Sequence, residues 1–187
     1  MRDKDVRAAL HADLQGLHSH GDTLIRDELG LCLGATRVDV AVINGSLVGY
    51  EIKSDRDRLD RLAEQARLYG NVLDLAVLVA APRHLDKAAE LLPPWWGLTR
   101  VVCEPAGLRL QIERPAQDNP AVQPLAVAQL LWRQEAFELL EEHGGTEGLR
   151  RATRWQLWRE LVERLGVDEL RAQVRRTLRA RRAWPTA

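Results

Sequence analysis

Residues 37–53, RVDVAVINGSLVGYEIK, decide the fold. From Arg37 to Ile43 the chain alternates, so Val38, Val40 and Val42 share one face of a strand. Arg37, Asp39, Ala41 and Ile43 share the other. Asn44-Gly45-Ser46 is a turn signal. Leu47 to Lys53 forms a second strand, with Val48, Tyr50 and Ile52 on one face and Leu47, Gly49, Glu51 and Lys53 on the other. A three-residue loop sets Ile43 opposite Leu47, Val42 opposite Val48, Val40 opposite Tyr50 and Val38 opposite Ile52. In that register the apolar faces coincide. A slip of one residue sets valines against Gly49 and Glu51 and destroys the core face.

The same register puts Asp39 across from Glu51 and Arg37 across from Lys53, with opposed Cβ atoms about 4.5–5.5 Å apart. Two carboxylates so placed repel each other unless a cation lies between them. Mg²⁺ or Mn²⁺ takes oxygen ligands at about 2.0–2.1 Å and can be shared by both. Lys53 projects from the same face about 6–7 Å further along the strand. This combination suits phosphodiester cleavage, because a divalent cation activates water and neutralises phosphate charge. Lys53 then orients or deprotonates that water, or stabilises the transition state. The spacing D-x₁₁-E-x-K taken alone also describes a strand face whose charges simply pair with one another.

Working outward, residues 4–18 read as an amphipathic helix with Val6, Ala9, Leu10, Leu14 and Leu17 on one stripe. A short segment, Thr23 to Leu31, contains Glu28. Asp57 is placed to cap a helix from Arg58 to Tyr69. Leu75 to Ala80 is a continuous apolar run, as expected of a strand buried on both faces. His84 to Leu92 reads as a helix, and Thr99 to Cys103 and Leu108 to Glu113 as strands. The proline-rich stretch after Arg114 reads as a linker. Helices are expected at Leu125 to Glu142, Arg154 to Leu165 and Asp168 to Arg182. The expected architecture is therefore an α/β core over residues 1–114, a linker at 115–124 and a basic helical subdomain, a small bundle, over 125–187.

The 187 residues carry no net charge, and 45% are apolar. The charge is unevenly placed. From Arg150 onward eleven arginines face four acids, a balance of +7, so the remainder carries −7. Such asymmetry can set a basic patch beside an acidic metal site, or can describe a solvated helical face. Lysine is rare, at Lys4, Lys53 and Lys87 only. Cys32 and Cys103 fit neither a disulfide framework nor a zinc pattern and read as buried reduced thiols. His18 and His20 lack further soft ligands at metal spacing. No apolar run approaches a membrane span and the N-terminus is charged, so a cytoplasmic protein with no membrane partner is expected.

Asp39, Glu51, Ile52 and Lys53 resemble the D…E-x-K signature of the PD-(D/E)XK nucleases, whose fold is restriction-endonuclease-like: a mixed β-sheet flanked by helices. Val38-Asp39 stands where the nominal pattern has Pro-Asp. Glu28 matches the upstream acid that many members carry on their first helix as a further metal ligand. Gln65-Ala66-Arg67-Leu68-Tyr69 matches the Q-x₃-Y motif of the RecB-like branch. The strings Arg37 to Ala41, Gly49 to Asp55 and Pro94-Trp95-Trp96-Gly97 also resemble a group of small bacterial proteins in that superfamily. The resemblance covers roughly residues 23–104. It implies a nuclease dependent on Mg²⁺ or Mn²⁺, with Glu28, Asp39 and Glu51 holding the metal and Lys53 and Gln65 completing the catalytic set. The implied substrate is DNA, with RNA left open, in repair, recombination, restriction or phage defence.

Gln65 and Tyr69 share one helix face. They either serve the site or are an exposed amide and a core aromatic. Arg58 and Arg61 would meet phosphate at a helix N-terminus, or are solvated charge. Ser54 positions the site or ends its strand. Trp95-Trp96 stacks bases or packs a loop. Arg175, Arg176 and Arg179, off the stripe of Leu170, Val174 and Leu178, either contact nucleic acid or bind an acidic partner. A homodimer is compatible with a single-site nuclease that cuts both strands. The competing function is an inactive nucleic-acid-binding or protein-interaction module on the same fold.

Overall fold

The computed structural model describes residues 1–19 and 21–184. His20 and residues 185–187, the end of the expected helical subdomain, lie outside the described residues. The elements run α1 (Asp3–Leu17), β1 (Leu24–Leu31), β2 (Thr36–Ile43), β3 (Leu47–Lys53), α2 (Leu62–Gly70), β4 (Leu75–Ala80), α3 (Pro82–Leu91), β5 (Gly97–Glu104) and β6 (Gly107–Arg114). Then follow α4 (Pro124–Ala128), α5 (Arg133–Glu142), α6 (Arg154–Arg164) and α7 (Val167–Ala180). The six strands form one sheet in sequence order. β3–β4 and β4–β5 pair parallel, and the other neighbours pair antiparallel. This is the expected α/β class, a mixed sheet flanked by helices, with further helices at the C-terminal end. Among the described residues no helix is long and apolar enough to cross a membrane.

The β2–β3 hairpin has the expected register from its turn as far as Val40: Val40 faces Tyr50, Ala41 faces Gly49, Val42 faces Val48 and Ile43 faces Leu47, whereas the expected pairs Val38–Ile52, Asp39–Glu51 and Arg37–Lys53 are not part of the ladder. Val40, Val42 and Ile52 pack with Val6, Leu10 and Leu14 of α1 on one side of the sheet. Ala41, Ile43 and Leu47 face the larger cluster on the other side, under α2, α3 and the C-terminal helices. β4 lies between these layers, with Val79 in one cluster and Leu78 and Ala80 in the other. Burial on both faces explains its unbroken apolar run. Leu17, read as part of the α1 stripe, is instead 78% exposed at the end of the helix.

The alternation fails at one point. Val38 belongs to the larger cluster, with Ala41, and not to the α1 side with Val40. Its partners across β1 and those of Val40 are regular, but Asp39 and Glu28 are left out of the ladder between them. Glu28 has a left-handed backbone, φ 55°. The irregularity reverses the face of Val38, which packs close to Gly49. A Cβ on Gly49 would lie 3.1 Å from Val38 and 2.4 Å from Leu73.

Two expected boundaries shift, one for a local reason and one for a tertiary reason. Helix α2 starts at Leu62 rather than Arg58 because the Asp57 carboxylate is used elsewhere. It accepts the Ser54 backbone N–H at 2.7 Å and the Ser54 hydroxyl at 2.6 Å, closing a turn after β3. Arg58 and Arg61 therefore precede the helix instead of forming its first turn. The single helix expected over 125–142 is broken into α4 and α5. Carbonyls at the break are taken by distant donors: Leu131 accepts the Trp158 indole N–H at 3.1 Å and Leu130 accepts Arg181 at 2.9 Å. The thiols also depart from expectation: both are free, but Cys32 is half-buried and Cys103 exposed.

The stretch read as a linker is pinned to the core. Gln117 donates its backbone N–H to the Trp95 carbonyl. Buried Asn119 donates its side-chain amide to the carbonyls of Gly70 and Leu73 at 2.8 and 2.7 Å. Leu157, Leu161, Leu170, Val174 and Leu178 join the cluster that contains Leu31 and Leu73. Residues 1–114 and the C-terminal helices thus share one core.

Asp74 fastens the two. Its side chain is 5% exposed and accepts the Leu47 N–H at 2.7 Å. Arg171 and Arg175 of α7 reach the same carboxylate at 2.6 and 2.8 Å. Removing one partner of a buried ion pair leaves uncompensated charge, at a cost of about 3–5 kcal/mol. Asp74→Ala should lower unfolding stability by that amount in urea titration. A loss under about 1 kcal/mol, the worth of a surface pair, would mean that apolar packing alone holds α7.

Candidate functional site

Three residues from two elements converge on one carboxylate. Glu51, near the end of β3, is 2% exposed. Its Oε1 receives the Lys53 ammonium at 2.6 Å and the Gln65 amide N–H at 2.6 Å. Lys53 also donates to Gln65 Oε1 at 3.3 Å, closing a triangle. The Tyr69 hydroxyl lies 2.5 Å from Glu51 Oε2 and 2.6 Å from the Arg37 carbonyl. The i, i+4 spacing of Gln65 and Tyr69 on α2 aims both at β3. Tyr69 is fully buried and stacks on Trp96, with ring centroids 5.6 Å apart. Burial, followed by the Glu51 charge, raises the pKa of its phenol, so it stays a donor. Trp95 and Trp96 are both buried, so this pair packs the loop before β5 and does not present faces to a ligand.

Asp39 sits beside this cluster. Its Oδ2 accepts the Ile52 backbone N–H at 2.7 Å, so a side chain bridges the strands where the ladder lapses. Burial and the Glu51 charge push its pKa up to about 6. The Ile52 hydrogen bond, Arg7 and Lys53 oppose that rise.

Glu28 stands on β1, a strand, not on a helix as the resemblance implies. Its carboxylate does not reach Asp39 directly; Arg7 of α1 lies between. One guanidinium nitrogen of Arg7 is 3.3 Å from Glu28 Oε1 and 3.3 Å from Asp39 Oδ1, and another donates to the Asp39 carbonyl at 2.6 Å. Asp3 and Asp27 lie 3.5 and 3.8 Å away. Burial works against the charge of Arg7, but Asp39, Asp3, Glu28 and Asp27 more than offset it and raise its pKa. Arg37, expected across from Lys53, instead extends to Glu28 at 3.8 Å and is 55% exposed. Sequence reasoning missed Arg7, since nothing in the pattern of α1 separates it from Arg2 and Lys4.

Asp39, Glu51, Lys53, Gln65 and Tyr69 are thus brought together, and Glu28 joins them through Arg7. Among the described residues no three of His, Cys, Asp and Glu are grouped so as to hold a metal ion as they stand. The remaining candidates are placed elsewhere. Arg58 is exposed and pairs with Asp60 at 2.7 Å, and Arg61 is exposed before α2. Arg175 is committed to Asp74. Arg176 pairs with Glu142, and Arg179 reaches Asp22 at 3.0 Å. Ser54 is buried in the turn with Asp57, which ends its strand.

A carboxyl whose folded pKa is raised contributes stability that is full below its unfolded value, about 3.8, and is lost as pH rises through about 6. In divalent-free buffer, Asp39→Asn should therefore lose less stability than the parent across that window. The amide still accepts the Ile52 N–H, so the comparison isolates charge. Parallel curves for the two proteins would show that Asp39 is already ionised at no cost.

The chain matches the bacteriophage P4 protein cII family over residues 1–183. It is 26% identical over 149 residues to "Protein cII" of Enterobacteria phage P4. That alignment covers 78% of this chain and 55% of the relative, so the chain spans about half the length of the curated relative it matches. No solved structure matches. The family match runs through the sheet, the Glu51 cluster and the C-terminal helices alike, and the chain therefore belongs to the bacteriophage P4 protein cII family.

Proposed function

We propose that this protein is a metal-dependent nuclease of the PD-(D/E)XK type, restriction-endonuclease-like in its core, that hydrolyses DNA phosphodiester bonds in the cytoplasm. The family match carries no chemistry of its own, so the reading rests on the site. Its main support is the convergence of the E-x-K and Q-x₃-Y residues on one buried carboxylate. Burying a Glu–Lys pair is costly and seldom improves stability, so a functional role accounts for it better than a structural one.

Carboxylate oxygens are the donors that Mg²⁺ or Mn²⁺ prefers, and Asp39 and Glu51, with Glu28 behind Arg7, would hold it. When bound, such an ion activates water and neutralises phosphate charge. The chain's own groups do the rest. Gln65 and Tyr69 fix the Glu51 carboxylate in place. Lys53, held at that carboxylate by a 2.6 Å contact, presents its ammonium to the attacking water or to the charge that grows on the phosphate. Roles in repair, recombination, restriction or phage defence, and action as a homodimer, are compatible with this chemistry.

One observation favours a second reading, an inactive nucleic-acid-binding or protein-interaction module. Arg7 already supplies positive charge between Glu28 and Asp39, as a permanent substitute for a metal would.

Cleavage of single-stranded, duplex and branched DNA with Mg²⁺ and Mn²⁺ tests the proposal. Divalent ion should raise the melting temperature of the parent, and Asp39→Ala should abolish that rise. Lys53→Gln, which keeps a hydrogen-bonding group against Glu51, should slow cleavage by about 10²–10³-fold while keeping the metal-dependent rise. Lys53→Arg should also fail, because a bulkier guanidinium cannot release a proton. No cleavage and no thermal shift in the parent, with a shift gained in Arg7→Ala, would favour the inactive module.

A further inference from the structure

A cleft of about 260 Å³ opens beside the candidate site, between the β1–β2 segment and the C-terminal helices. Glu28 and Arg37 belong to both. Its far wall is a ladder of alternating arginine and tryptophan. The Arg181 guanidinium lies 4.3 Å from the Trp132 ring centre and 4.5 Å from that of Trp184. Arg26 lies 5.2 Å from the other end, at Trp184. Arg181 is held rigidly by Glu135, at 2.6 and 2.5 Å, and by the Leu130 carbonyl. Trp132 is thereby fixed from one side, yet 43% of it remains exposed.

The near wall is strained. The non-glycine residues with left-handed backbones among those described are Glu28, Cys32 and Leu33, and all three line this cleft. Side chains rarely adopt such a conformation, so the fold gives up stability to shape this wall.

We propose that the cleft receives an unpaired base of single-stranded DNA and leads the strand into the Asp39–Glu51 site. The proposal deepens the nuclease reading and rests on it for the direction of the strand, though not for binding itself. The volume lies below the roughly 300–1,000 Å³ of pockets that enclose a whole drug-sized ligand. It suits one inserted planar group whose backbone stays outside. A fixed, half-exposed indole is a stacking platform for any base. Arg37, 55% exposed at the shared rim, is placed for the phosphate beside that base. A paired base is unavailable for such stacking, so the cleft selects single strands over duplex.

The test is fluorescence anisotropy with a fluorescein-labelled oligothymidylate and a duplex of equal length, both in EDTA so that no cleavage intervenes. The parent should bind the single strand more tightly than the duplex. Trp132→Ala should weaken single-strand binding about 5- to 150-fold and leave duplex binding unchanged, and Trp132→Phe should restore most of the loss. Arg37→Gln, which keeps the carbonyl used by Tyr69, should flatten the salt dependence of single-strand binding by about 0.7. This variant keeps the test open if Trp132→Ala does not fold. Equal affinity for the two forms, or unchanged single-strand binding in both Trp132→Ala and Arg37→Gln, overturns the proposal. A parent that cleaves DNA while these variants bind normally sinks the cleft alone. A parent that cleaves nothing, yet binds single strands through Trp132, sinks the nuclease reading alone.

Discussion

Glu51 carries a carboxylate into a place where 2% of its surface meets water, and much of the surrounding structure serves to keep it there. A buried charge is tolerated only with donors around it. β3 supplies one from two residues on, Lys53, and α2 supplies Gln65 and Tyr69 from one helix face. Tyr69 in turn fixes the β2 backbone through the Arg37 carbonyl and the loop before β5 through its stack on Trp96. Two strands, a helix and a loop are thereby tied to a single pair of oxygens. Substitution at Glu51 should therefore disturb the fold and the site together, which is why side chains around it make the cleaner probes.

The hairpin was legible because a strand has period two and only one register aligned two apolar faces. Its turn chemistry agreed, and the observed pairs from Val40 to Ile43 follow. The site residues on it were legible for the same reason, together with the spacing of Gln65 and Tyr69 on α2. What lay hidden was the lapse at Glu28 and Asp39. No residue pattern announces a left-handed glutamate on a strand, and the reversal of Val38 follows from that backbone. The break between α4 and α5 was hidden too, because its cause is tertiary: Trp158 and Arg181 claim carbonyls near residue 130. Propensity favours one helix there, and distant donors override it.

The charge asymmetry acquires a different meaning in three dimensions. A basic tail beside an acidic body suggested phosphate contacts. In the fold the tail docks on the body and much of the charge is spent within the molecule. Arg171 and Arg175 meet Asp74, Arg176 meets Glu142, Arg179 meets Asp22 and Arg181 meets Glu135. Opposite charge balances of this kind complement the apolar packing by which the two parts dock. Arginine suits this role because its planar fork reaches two acceptors at once. Those on α7 that face the core are 16–23% exposed, which leaves little for an external phosphate.

Arg7 concentrates the remaining tension. A guanidinium among four acids is a stable arrangement in the absence of any other cation, and it keeps Asp39 from repelling its neighbours more strongly than it does. A divalent ion brings twice the charge in a smaller radius, so at the same distance its attraction for Asp39 is doubled. It must also overcome the 2.6 Å hydrogen bond from Arg7 to the Asp39 carbonyl only if Arg7 has to leave entirely. That bond runs to the backbone, and the two contacts that compete for carboxylate oxygens are the longer ones, at 3.3 Å. Arg7 thus holds β2 through a short bond to a backbone acceptor and holds the two acids through longer contacts. The same arginine therefore neutralises the acids around it while its contact to Asp39 Oδ1 stays long, at 3.3 Å. A divalent ion at Asp39 would compete with those two longer contacts, while Asp3 and Asp27, 3.5 and 3.8 Å from Arg7, favour the guanidinium where it stands.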